Sequence, residues 1–120
     1  MRCEKMDTSG LKDVYYDLKY DEKDPNGIDQ HEPGAKLDSG KPRMELMLAF
    51  SNALREIGKV ATKGAKKYSD NGWLKVPDGV NRYTGAMFRH FLDEQTEEID
   101  KDTGCLHAAQ VAWNALARLE

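Results

Sequence analysis

Apolar positions recur at spacings of three and four residues in three stretches of the chain, and no stretch alternates as a strand would. Leu46, Ala49, Phe50, Ala53, Leu54, Ile57, Val60, Ala61 and Tyr68 form one continuous stripe, which predicts a helix over about 44–68. Pro42 suits its first turn and Asn71-Gly72 its stop. YTGAMFRHFLDEQTEE predicts a second helix over about 82–98, with Tyr83, Met87, His90, Glu94 and Glu97 or Glu98 on one face. The turn DKDTG follows, with Asp102 or Thr103 as N-cap, and a third helix is predicted from Cys105 to the end. Leu106, Ala109, Ala112, Trp113, Leu116 and Leu119 give that helix a broad apolar surface, and His107, Gln110, Asn114 and Arg118 a narrow polar stripe.

The pattern predicts an all-α fold, a bundle of three main helices. Their apolar faces are wider than one small chain covers, so the expectation is a homo-oligomer, dimer or tetramer, with further copies completing the bundle. The body is placed at residues 35–120. Residues 1–34 read as a polar arm: DEKDPNGIDQHEPG is turn-forming, and Leu11, Val14, Tyr15 and Leu18 before it mark a short helix or a docking arm.

Composition narrows the setting. At 120 residues, 39% hydrophobic and 32% charged, the chain is one small domain with a modest core. It has no apolar run of membrane-spanning length and no signal-like N-terminus, so the expected compartment is the cytoplasm. Cys3 and Cys105 suggest neither a disulfide framework nor a zinc site. A net charge of −3 argues against a dedicated nucleic-acid binder.

Three polar groups are candidates for chemistry. Asp93, Glu94, Glu97, Glu98 and Asp100 end the second helix; stacked carboxylates repel, and a hard divalent cation would compensate. The alternative is a solvated helix end. His107, Gln110 and Asn114 lie a turn apart on the third helix, and an antiparallel hairpin would bring His107 toward Glu97 or Glu98. The third group is basic: Lys36, Lys41 and Arg43 surround a Ser-Gly turn that also holds Asp38, and Lys63, Lys66 and Lys67 precede Tyr68. Together they suit a polyphosphate or an ordinary basic surface, and no Walker A loop is present. Trp73 either stacks on a base or closes the core.

The ordered blocks KLDSGKPRMEL, GAKKYSDNGW, RYTGAMFRHF and EEIDKDTGCLHAAQVAWN resemble phage dATP/dGTP diphosphohydrolases of the MazZ type, within the MazG and HisE all-α nucleotide pyrophosphohydrolase superfamily. The resemblance covers about residues 35–120. It implies hydrolysis of dGTP and dATP to the monophosphate and pyrophosphate with Mg2+ or Mn2+, in phages that replace adenine by diaminopurine. DEQTE at 93–97 is similar to the superfamily's first acidic motif, EExxE. The second, ExxD, is replaced by His107, Gln110 and Asn114, as is characteristic of MazZ-like proteins.

The roles expected on this basis are specific. Glu94, Glu97 and Glu98 hold the metal ions, with Asp100 as a further ligand, and Glu97 or Glu98 alternatively takes a proton from water. Lys36, Lys41, Lys66 and Lys67 hold the polyphosphate. Asp38 caps a helix, binds a sugar hydroxyl or reaches the metal. Arg89 and His90 orient the acids or touch phosphate, Tyr68 and Trp73 meet base or deoxyribose, and His107 and Asn114 close the site. The alternatives are a pyrophosphohydrolase for another nucleotide and a helical adaptor without turnover.

Overall fold

The computed structural model describes residues 22–120. The expected helix or arm at 11–18, and Cys3, lie outside them. The chain divides into two compact units, the first ending at Glu45 and the second spanning Leu46–Glu120.

The described part of the first unit is a loop organised by one carboxylate. Asp24 is buried; its Oδ1 accepts the N–H groups of Asn26 (2.7 Å) and Ile28 (3.4 Å), and its Oδ2 accepts that of Lys36 (2.9 Å). The Ser39 N–H donates to the Lys23 carbonyl, joining the two ends of the loop. Gly27, at φ 76°, makes the turn that lets the chain fold back over Asp24. Hydrogen bonding from Lys36 is the largest influence on the Asp24 carboxyl and, with the Asn26 and Ile28 bonds, holds it below its ordinary value despite burial.

Past this loop a 3₁₀ segment, Met44–Phe50, leads into α1 (Ser51–Lys67), so the single predicted helix is split. A 3₁₀ turn at Gly72–Lys75 occupies what reads in the sequence as loop. It is entered through Asn71 at φ 55°, a left-handed conformation that Asn tolerates. Then come α2 (Gly79–Glu94) and α3 (His107–Leu119). The described residues are helical, with no strand beyond one isolated bridge, Ile99 to Leu106, and the fold is all-α. Among them no helix is long and apolar enough to cross a membrane.

Within the second unit α3 packs chiefly on α2 and also on α1. Arg118 Nε donates to Thr84 Oγ1 at 2.8 Å, tying the far end of α3 to α2. Burial runs against the apolar pattern. The most enclosed residues of α3 are His107, Ala109, Gln110 and Asn114, whereas α1 buries none of its residues. Leu48, Phe50 and Leu54 stand exposed, Leu48 at 71%.

The second helix stops four residues before its expected end. At Glu94 the last carbonyls find side-chain donors: Gln95 Nε2 bonds the Phe91 carbonyl and Thr96 Oγ1 that of Asp93. Glu97 and Glu98 therefore leave the helix and its register. The third helix starts at His107 with Leu106 as its N-cap; Thr103 instead accepts the Cys105 N–H, and Asp102 donates its N–H to Asp100.

Candidate functional site

A tight hairpin between α2 and α3 builds the polar end of the second unit. The Asp100 N–H donates to the Cys105 carbonyl, the Gly104 N–H to the Asp100 carbonyl and the His107 N–H to the Glu98 carbonyl, at 2.8, 2.7 and 2.9 Å. Gly104 at φ 72° supplies the left-handed step the turn requires. The hairpin sets the start of α3 beside the last turns of α2, and two histidines meet there. His90 Nδ1 and His107 Nδ1 are 3.0 Å apart, with ring centroids 5.3 Å apart. His107 is 5% exposed and His90 half-buried.

Carboxylates frame this pair. One ligand atom from each of His90, Asp93 and His107 lies within 4.8 Å of the others. Asp100 is fixed from two sides, its Oδ2 accepting Gln110 Nε2 at 2.9 Å and its Oδ1 the Asp102 N–H at 2.9 Å. Burial pushes the Asp100 carboxyl up, but these two bonds and the neighbouring imidazoles outweigh it and leave the group below its ordinary value. Burial lowers the basicity of His90, and His107 and Arg89 add to this, while Asp100 and Asp93 pull the other way; the net shift is downward. His90 is thus biased toward its neutral form beside the Asp100 carboxylate, and two imidazoles with Asp93 make a donor set suited to a divalent cation.

Two cavities adjoin the pair. A polar hollow of about 230 Å³ is lined by Asp93, Thr96, Glu97, Asp100, Lys101, Asp102 and His107. A cleft of about 1070 Å³ runs from the C-terminal part of α1 across α2 to α3, with His90, Gln110 and Asn114 on its wall. His107 belongs to the hollow and His90 to the cleft, so their contact links the two.

The cleft has an aromatic side and a basic side. Trp113 meets Trp73 and Tyr83 edge-on, with centroids 5.7 and 5.6 Å away. Tyr83 donates its hydroxyl to the Trp73 carbonyl at 3.3 Å, and burial raises its phenol above the ordinary value. Lys63, Lys67, Arg82 and Arg89 supply positive charge. The Lys67 ammonium lies 5.2 Å from the centre of the exposed Tyr68 ring. Gly85 leaves space for Arg89, since a Cβ there would fall 3.1 Å from Nη1 of that guanidinium.

The candidate residues thus divide. His90, Asp93, Asp100, His107 and Gln110 gather at the polar end, and Lys67, Tyr68, Trp73, Arg89 and Asn114 line the cleft. Glu97 lines the hollow, ion-paired with Lys101 at 2.8 Å. Glu94 is half-buried on the last turn of α2, and Glu98 is exposed, its carbonyl bonded to His107; neither lines the hollow or the cleft. Glu94, Glu97 and Glu98 do not converge as a ligand group. Lys66 is exposed and off the cleft wall. Lys36, Asp38 and Lys41 belong to the first unit. The sequence reading assigned no role to Tyr83, Trp113 or Arg82; the clue was helical register, Arg82 and Tyr83 lying two turns before His90 and Trp113 one turn after Gln110.

Fold and site together define a helical protein with a histidine–carboxylate cluster at one end of an aromatic, basic cleft. A family profile described as dATP/dGTP diphosphohydrolase, N-terminal, matches residues 31–120. The chain belongs to this family of dATP/dGTP diphosphohydrolases. No curated protein and no solved structure matches it.

Proposed function

We propose that this chain hydrolyses purine deoxynucleoside triphosphates, dGTP and dATP, to the monophosphate and pyrophosphate with a divalent metal ion, Mg2+ or Mn2+. The observation that carries the reading is the family match spanning both the cleft and the His90–His107 pair. The donors at the polar end fit a metal: two imidazoles and Asp93 lie within one coordination sphere's reach, and Asp100 adds negative charge. When bound there, the ion would neutralise phosphate charge and acidify a water.

The residues take these roles. The purine lies on the aromatic side of the cleft, formed by Trp73, Tyr83 and Trp113, with Asn114 at its inner wall. Lys67, Arg82 and Arg89 hold the polyphosphate and the departing pyrophosphate. Glu97, at the hollow, accepts the proton of the attacking water. The water oxygen bonds to the α-phosphorus, and the bond from that phosphorus to the α–β bridging oxygen breaks. The bridging oxygen leaves with pyrophosphate. Gln110 holds Asp100 in place rather than touching substrate.

The exposed apolar face of the 3₁₀ segment and α1 supports a homo-oligomer in which a second copy covers Leu48, Phe50 and Leu54. The resemblance of the sequence blocks to MazZ-type proteins supports a role in the cytoplasm of a phage-infected cell, serving a diaminopurine genome. Purified chain with manganese and dGTP should release pyrophosphate and dGMP, with Glu97→Gln slowing turnover while the helical circular dichroism persists. Release of orthophosphate, or no turnover of any purine triphosphate, would contradict the reading.

A further inference from the structure

We infer that His90, His107 and Asp93 form a nitrogen-rich metal site that takes a first-row transition ion (manganese, iron(II), cobalt or zinc) in preference to magnesium. The argument starts from the donors. Magnesium favours oxygen ligands and keeps its water, whereas imidazole nitrogen suits the later first-row ions. Two of the three converging ligands here are imidazole nitrogens.

The two Nδ1 atoms are 3.0 Å apart, a hydrogen bond in the ion-free chain. One ligand atom of each histidine and of Asp93 lies within 4.8 Å of the others, close enough to share one ion. Two histidines and one carboxylate would hold such an ion and would leave it open positions for water and phosphate oxygens. His90 and His107 reach these places from two helices that the hairpin locks together, so the pair is built before any ion arrives. Asp100, held by Gln110 and the Asp102 N–H, adds negative charge that both imidazoles feel.

The inference rests on the proposed hydrolase activity only for what the ion does in turnover; ion binding stands apart from it. The chain supplies its own control, because His31 lies in the first unit, exposed and bonded to Gln30. The experiment uses the full chain, stripped of metal by chelation. Cobalt(II) is added and its visible absorption recorded; manganese and magnesium affinities are measured by calorimetry, and imidazole resonances are followed by NMR as manganese is added.

The expected result is one cobalt or manganese ion per chain, bound at least about tenfold more tightly than magnesium. Manganese should broaden His90 and His107 but spare His31. His90→Gln and Asp93→Asn should each weaken binding about tenfold or more, and His31→Gln should leave it unchanged. His90 is only half-buried, so its variant disturbs packing less than a change at buried His107 would. Equal affinity for magnesium and manganese, or broadening of all three histidines alike, would overturn the inference. Tight manganese binding without pyrophosphate release would uphold the site and defeat the hydrolase reading. Undiminished pyrophosphate release in His90→Gln, together with unchanged manganese affinity, would defeat the site and uphold the hydrolase reading.

Discussion

α1 and α3 are both amphipathic, yet they use their faces in opposite ways. α1, with the 3₁₀ segment before it, carries the longest apolar stripe in the chain and buries none of its residues. α3 encloses His107, Gln110 and Asn114, each at most 6% exposed, while Leu116 and Leu119 at its far end face outward. Burying a polar group is costly unless it is hydrogen-bonded, and here each is: no buried side-chain nitrogen or oxygen among the described residues lacks a partner. The contrast separates two tasks. The interior of the second unit is organised around polar groups, and its apolar side chains stand at the surface, where the proposed homo-oligomer would cover them.

The sharpest way to break that contrast is at the buried end of α3. His107→Ala removes one half of the imidazole pair and should lower the rate of dGTP hydrolysis by about 100-fold or more, with the helical spectrum retained. An unchanged rate would make the polar interior merely structural. The next test falls on the other face. Phe50→Asp with Leu54→Asp should reduce the particle mass in light scattering to that of one chain and lower the melting temperature by about 5 °C or more. If that face is simply solvated, each change stays within about 0.5 kcal/mol and the mass does not move.

Asn114→Ala probes the join between interior and cleft. Its Nδ2 donates to the Gln110 carbonyl at 2.8 Å, and the loss of that bond should cost about 1 kcal/mol in chemical denaturation. If Asn114 also meets the purine, KM for dGTP should rise with kcat little changed.

The smallest effect is expected in the first unit. The Asp24 carboxyl is held below its ordinary value when folded, so the unfolded chain binds its proton first as acid is added. Its contribution is complete above about pH 4 and is lost as pH falls through the folded-state value. Protection of the Lys36 amide, relative to its intrinsic exchange rate, should therefore fall in acid, and Asp24→Asn should make that protection independent of pH.

The helices were legible because their apolar residues keep helical spacing, but their limits and partners were not. Nothing in DEQTEE is a glycine or proline stop; α2 ends because Gln95 and Thr96 turn back onto its last carbonyls, a competition that sequence spacing does not register. That is why Glu97 and Glu98 read as helix. His107 was expected near Glu97 or Glu98 and does meet the Glu98 carbonyl, but through its backbone N–H; its ring turns to His90, 17 residues earlier in the chain. A register argument across the hairpin needs the Ile99–Leu106 pairing, which only the fold supplies. Trp113 read as part of an apolar helix surface and Tyr83 only as a member of the His90 face; their edge-on contacts with Trp73 make them a cleft wall. Asp24 went unremarked because its partners are backbone amides, which no side-chain motif reveals.

The central claim, attack of water on the α-phosphorus in the cleft beside the His90–His107 pair, is tested most directly by hydrolysing dGTP with manganese in oxygen-18 water. The account predicts one heavy oxygen in the dGMP and none in the pyrophosphate. Label in pyrophosphate or orthophosphate, or no hydrolysis at all, would contradict it.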